Sequence, residues 1–207
     1  MPNVAEDSLR NDDERRFIEV LEACTSALSD ADVGYVLIGG IASAALGRPR
    51  ETRDIDVFVR AEDIKDAVGV LDKAGFDTEE PELDWLYKAS KDGIQVDVIF
   101  QGSNDVYLDD EMSKRALSRE FKGVPVRLVP PEDLLVMKAL SHEEETPQYW
   151  HDALAIISSN ELDWDYLMQR AERGPRRVLS LLVYAESIDL VVPHDVVRRL
   201  FTRIYAA

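Results

Sequence analysis

The chain has 207 residues, 45% of them hydrophobic, a formal net charge of −17 and an isoelectric point of about 4.5. That is enough apolar material for a packed domain with a helical appendage, and too acidic for broad nonspecific adhesion to nucleic acid. The single cysteine, Cys24, excludes an intramolecular disulfide, and the polar start MPNVAEDSLRNDDERR lacks the apolar segment of a secretory signal.

Residues 1–13 are expected to form a solvated, flexible lead-in. Phe17, Val20, Leu21, Cys24, Ala27 and Leu28 then recur at helical spacing, which predicts a helix to about Ser29. A short β-rich run, VGYVLI, stops at Gly39-Gly40. Small residues over 41–46 predict a short helix ended by Gly47. After a basic turn, the run 54–59 (DIDVFV) reads as a second strand, and 62–73 as a helix closed by Gly75. Residues 85–89 and 94–100 predict two strands turned by Asp92-Gly93. A helical stretch over 111–117 leads to a strand over 124–128. Beyond Pro130-Pro131 only helices are expected, over 132–142, 147–158, 164–173, 176–187 and 194–205. Trp85, Trp150 and Trp164 are expected as core or half-core aromatics, Trp150 alternatively as a wall of a nucleotide pocket. The fold class is α/β (α+β): a mixed sheet flanked by helices over 1–130, then a C-terminal helical region over 131–207 that completes a cleft. No apolar run is long enough to span a membrane, so a cytoplasmic location is expected.

The chemistry centres on Asp54 and Asp56. Residues two apart on a strand share a face, so two carboxylates stand side by side and repel. A hard cation that prefers oxygen ligands relieves that repulsion. Asp97 is embedded in QVDVIF, another β-rich run, and a neighbouring strand can bring it beside the first two. Three carboxylates from two strands can hold two metal ions, which activate an attacking hydroxyl and stabilise leaving phosphate oxygens. Gly39-Gly40 lies at a strand-to-helix turn, where the backbone can approach a phosphate and the helix offers free N–H groups. Lys138 borders the apolar stripe of its helix, either snorkelling to water or reaching into a polar pocket. The three histidines show no ligand spacing.

Ile38-Gly39-Gly40, Ala42 and Ala45, and Gly47-Arg48-Pro49-Arg50-Glu51-Thr52-Arg53-Asp54-Ile55-Asp56-Val57, with a later acid at Asp97, resemble the signature of the polymerase-β-like nucleotidyltransferase superfamily. The Arg-x-Thr-x-Asp-Ile-Asp form, with Pro131-Glu132-Asp133-Leu134-Leu135, Lys138 and Asp152, looks most like the nucleotidyltransferase toxins of type IV toxin–antitoxin systems. The resemblance covers roughly residues 33–157. It implies that Asp54 and Asp56 hold two Mg²⁺ ions, with Mn²⁺ an alternative, and that Asp97 completes the catalytic metal site and helps activate the acceptor hydroxyl. Lys138 joins them as a catalytic residue that neutralises phosphate charge. Gly39, Gly40, Ser43, Arg50, Thr52 and Asp152 complete the binding of a nucleoside triphosphate such as ATP. Gly40 stands where the wider superfamily often has serine, which leaves the backbone N–H to meet phosphate.

The function expected is transfer of a nucleoside monophosphate to a hydroxyl with release of pyrophosphate. The acceptor is a tRNA end, a protein side chain, or a small molecule such as an aminoglycoside; a toxin-like role implies a cognate antitoxin as partner. A noncatalytic nucleotide- or partner-binding protein of the same fold is the alternative, against which the three intact acids count. Residues 166–207 hold seven arginines against four acids, a net +3, leaving −20 for residues 1–165. Arg170, Arg173 and Arg177 share a face by helical spacing. They either dock the helices onto the acidic body or form a basic wall for a polyanionic acceptor.

Overall fold

The computed structural model describes the chain over residues 4–206, and its side chains over 11–79 and 84–206. Helix α1 runs Val4–Asp30 and buries Phe17, Val20, Leu21, Cys24 and Leu28. Of the lead-in expected over 1–13, residues 1–3 lie outside the described residues and 4–13 are helical. The charges that suggested a solvated tail instead pair along the helix: Arg15 lies 3.2 Å from Asp12, and Arg16 3.6 Å from Asp13, a spacing that supports an exposed turn.

The body then alternates strands and helices: β1 (Tyr35–Leu37), α2 (Gly39–Leu46), β2 (Asp54–Val59), a 3₁₀ turn (Ala61–Asp63), α3 (Ile64–Lys73), β3 (Asp77–Leu83), β4 (Leu86–Lys91), β5 (Ile94–Ile99), α4 (Asp110–Arg115), β6 (Leu117–Phe121) and β7 (Val124–Leu128). The seven strands make one mixed sheet in the order β3-β4-β5-β2-β1-β7-β6. β2 and β5 are parallel neighbours; β1 pairs antiparallel with β2 and parallel with β7. Ile55, Val57, Val96 and Val98 are fully buried, and they alternate with Asp54, Asp56, Gln95 and Asp97 on the opposite side. Each such aliphatic contributes about 2 kcal/mol by leaving water. The hydrophobic alternation therefore fixes which way the acids point. The two outermost strands, β3 and β6, were not expected from the sequence. Their residues, DTEEPEL and LSREF, are largely charged or polar, as edge strands tolerate.

Helices α5 (Pro131–Ser141), α6 (Gln148–Ser159), α7 (Trp164–Arg170), α8 (Pro175–Ser187) and α9 (His194–Tyr205) follow. Helix α5 is buried on almost every side, packed by α2, α6, α7 and α8, and its core is continuous with that of the sheet. Trp85 does not join it: at the β3–β4 turn it is 41% exposed. No described helix is long and apolar enough to cross a membrane.

Candidate active site

The strand pairing sets the site. Asp56 and Asp97 are register partners across β2 and β5, and Asp54 is the partner of Gln95 two residues along. All three acids share one side of the sheet. As β1 ends, the Ile38 N–H donates to the Asp56 carbonyl at 3.0 Å. The chain then turns at Gly39, whose φ of +58° is in the left-handed region. A Cβ there would lie 1.8 Å from Asp56 Oδ2, so only glycine fits. The next N–H, of Gly40, donates to that same oxygen at 3.4 Å. The glycine turn thus wraps the central acid.

Asp56 is the electrostatically strained member. Burial pushes its carboxyl up to about 6, with Asp54 and Asp97 adding repulsion, while the Gly40 N–H and Lys138 act in the opposite direction. The other two acids accept from neutral donors: Asp54 from Thr52 Oγ1 at 2.8 Å, Asp97 from Gln95 Nε2 at 2.7 Å. As they stand, no three acid, histidine or cysteine side chains among the described residues gather closely enough to hold a metal ion. Their chemistry nonetheless fits a divalent cation. Three hard oxygen donors stand on two adjacent strands, and the central one carries a charge that its surroundings under-compensate.

Beyond the acids, the expected residues divide. Ser43 is 1% exposed and its hydroxyl donates to the Gly39 carbonyl at 2.7 Å; it braces the turn and has no free hydroxyl for phosphate. Thr52 lies against Gly40, where an added Cβ would meet Thr52 Oγ1 at 2.2 Å, so Gly40 is also required by close packing. Lys138 does not snorkel: it is 4% exposed, 3.2 Å from Asp152 Oδ2 and over the Tyr149 ring at 4.7 Å. Asp152, expected among the nucleotide-binding residues, is 1% exposed and faces Lys138, Arg50 and Arg48. Trp150 packs between His142 and Tyr184, the aromatic role expected of it.

The basic face expected in the C-terminal region is broken up. Arg170 ends α7, Arg173 lies in a 3₁₀ turn, Ala171–Arg173, and Arg177 is in α8 beyond Gly174. Arg170 is tied to Asp133 and Asp109, and the Tyr166 hydroxyl donates to Asp133 at 2.6 Å. Arg199 pairs with Asp165, Arg203 with Glu172, and Arg177 donates to the His142 carbonyl. Arg170 and Arg199 thus dock onto acids of the preceding body, while Arg203 pairs within the C-terminal region. The sequence reading missed Asp133 and Tyr166 as a buried polar link; the acid within the apolar run of α5 was its only signal.

A family model described as "uncharacterised nucleotidyltransferase" matches residues 11–200. No curated protein matches the sequence. Among solved structures, ANT(2'')-Ia in complex with adenylyl-2''-tobramycin is similar at a TM-score of 0.53 and 16% identity, covering 84% of this chain and 98% of that one. The solution structure of the antibiotic-resistance factor ANT(2'')-Ia gives 0.53 and 17%, covering 84% and 93%. Lincomycin-bound LnuA, a lincosamide antibiotic adenylyltransferase, gives 0.48 and 17%, covering 71% and 98%. The first two likenesses are of fold; the match over nearly the whole sequence is one of family. A glycine turn wrapped around one of three strand-borne acids, in a chain matched by that model, makes this protein a member of the nucleotidyltransferase family and a nucleotidyltransferase enzyme.

Proposed function

We propose that the protein transfers a nucleoside monophosphate from a Mg²⁺-bound nucleoside triphosphate to the hydroxyl of a small molecule, releasing pyrophosphate. The observation that carries the transfer chemistry is the register pairing of Asp56 with Asp97 beside Asp54, under the Gly39-Gly40 turn. Asp54, Asp56 and Asp97 would hold the divalent ions, which supply charge neutralisation at the phosphates. The N–H groups that open α2 would meet the triphosphate, that of Gly40 being shared with Asp56. Asp97 takes the acceptor proton as the acceptor oxygen bonds the α-phosphorus and the bond to pyrophosphate breaks. Positioning and electrostatics supply most of the rate.

A small acceptor is favoured over RNA because the chain carries −17 overall and three of its seven C-terminal arginines, Arg170, Arg199 and Arg203, are paired with its own acids. The fold shared with ANT(2'')-Ia, solved with an adenylylated antibiotic, supports the same choice. The Arg-x-Thr-x-Asp-Ile-Asp motif favours a second reading, a toxin-like enzyme acting on tRNA or protein and held by an antitoxin. The test is incubation with each labelled nucleoside triphosphate, Mg²⁺ and a cell extract divided by ultrafiltration. Label should pass to the small-molecule fraction. Label in the macromolecular fraction alone would select the second reading, and triphosphate binding without pyrophosphate release across both fractions would select a noncatalytic protein.

A further inference from the structure

Asp152 presents a problem that the transfer chemistry alone does not explain. It is fully enclosed, and neither carboxylate oxygen has a hydrogen-bond partner. A buried charge of that kind is costly unless opposite charge surrounds it. Here Lys138 Nζ lies 3.2 Å and Arg50 Nε 3.4 Å from Oδ2, and Arg48 4.0 Å from Oδ1. Lys138 belongs to the buried helix α5, whereas both arginines belong to the irregular segment 47–53 between α2 and β2. Asp152 meets three cations with one negative charge; Lys138 also interacts with Asp56, and the two arginines keep positive charge that an anion complements. Arg50 extends from this cluster toward the glycine turn. Its Nε faces Asp152, while its Nη2 is 3.4 Å from the point a Cβ on Gly40 would occupy. The guanidinium therefore spans from the buried carboxylate to the first turn of α2.

We infer that Asp152 is a positioning residue that anchors Arg50 and Lys138 as a two-cation clamp on the triphosphate tail, without touching the nucleotide itself. The inference rests on the nucleotidyl-transfer reading of this site. Two cations set close together repel, and among the described residues the one side-chain hydrogen bond of Arg50 is local, at 3.5 Å to the Glu51 carbonyl. Without the buried carboxylate, nothing holds the arginine over the glycine turn. The anchor acts chiefly by charge, so an isosteric neutral residue keeps the packing and loses the clamp. Because Oδ2 faces both cations, its loss acts through Arg50 and Lys138 together, and Arg50 adds nothing once Asp152 is gone.

The experiment is a double-mutant cycle on the full chain. It reads the Kd of a non-hydrolysable α,β-methylene nucleoside triphosphate with Mg²⁺ by calorimetry, and melting temperature alongside. Asp152→Asn and Arg50→Ala should each weaken binding on the order of tenfold. The double variant should bind no more weakly than Asp152→Asn alone. KM for the triphosphate should rise in Asp152→Asn far more than kcat falls, which a loss of helix packing would not produce. Unchanged binding in Asp152→Asn, or additive losses of about a hundredfold in the double variant, overturns the inference. If Asp152→Asn fails to fold, Arg50→Ala decides, since Arg50 is on a partly exposed segment: binding equal to the wild type overturns the clamp. A wild-type protein that binds no triphosphate would overturn the transfer reading instead.

Discussion

Asp56 and Asp97 face one another directly across the parallel β2–β5 pairing, with Asp54 two residues along on the same side. The valines and isoleucine between them are buried, so the apolar face holds the acids together against their repulsion. The metal-free protein should therefore be destabilised by its own site.

That cost has a pH signature. Asp56 is pushed up to about 6, chiefly by burial, whereas an unfolded aspartate titrates near 4. Between those values the folded state binds a proton that the unfolded state lacks, so stability falls as pH rises through the window and remains lowered above it. Asp56→Asn removes this term. Its melting temperature in EDTA should exceed that of the wild type at pH 7.5 and converge with it below about pH 4, while transfer is abolished. Asp133, also pushed up to about 6, is common to both proteins and cancels in the difference. A gap between the two melting curves that ignores pH would contradict the assignment.

Gly39→Ala tests the turn. The substitution meets two obstacles at once, a φ of +58° and a Cβ position 1.8 Å from Asp56 Oδ2. The left-handed backbone alone costs about 1–2 kcal/mol, and relief of the clash requires Asp56 to move. Transfer should fall at least as far as in Asp56→Asn, and calorimetry should show weakened Mg²⁺ binding. Gly93→Ala, also at positive φ but with open space at the Cβ, is the control: it should carry the backbone cost and keep transfer.

Much of this was legible in the sequence because the signal was local. The alternation in DIDVFV and QVDVIF gives the strands, their buried faces and the shared orientation of the acids. The glycine pair marks the turn. Edge strands β3 and β6 were missed because their acidic and polar composition matches a loop when edge position is unknown. The partners of Lys138 and Arg170 were hidden for another reason. They are contacts between helices far apart in the chain, which helical spacing within one segment does not encode.

Lys138→Met should now cost stability as well as nucleotide use. The methionine retains the apolar stem, but Asp152 loses its closest cation in a fully enclosed setting. Breaking a buried pair by removing one partner costs on the order of 3 kcal/mol, partly offset here by Arg50 and Arg48. Urea unfolding should show a lowered midpoint with an unchanged slope. A midpoint equal to the wild type would mean that the arginines alone satisfy Asp152.

Arg170 was the natural candidate for a basic wall, and the structure gives it a different task. It is paired with Asp133, a buried acid of α5, and with Asp109, the N-cap of α4 whose carboxylate accepts from the Met112 N–H at 2.9 Å. It therefore joins the sheet-bearing part of the chain to the helical part through one guanidinium. The Tyr166 hydroxyl donates to the same Asp133 carboxylate, so removing Arg170 leaves an acid with one neutral partner in a buried setting. Arg170→Ala should lower stability on the order of 3 kcal/mol. The loss should be largely insensitive to salt, because buried pairs are poorly screened. A phosphate-binding arginine would behave oppositely: little change in unfolding, and weaker acceptor binding whose salt dependence loses about one ion's worth of slope. Urea unfolding at low and high salt, beside transfer assays at the same two salt concentrations, separates the outcomes. Intact stability with salt-dependent loss of transfer would restore a polyanionic acceptor on this face.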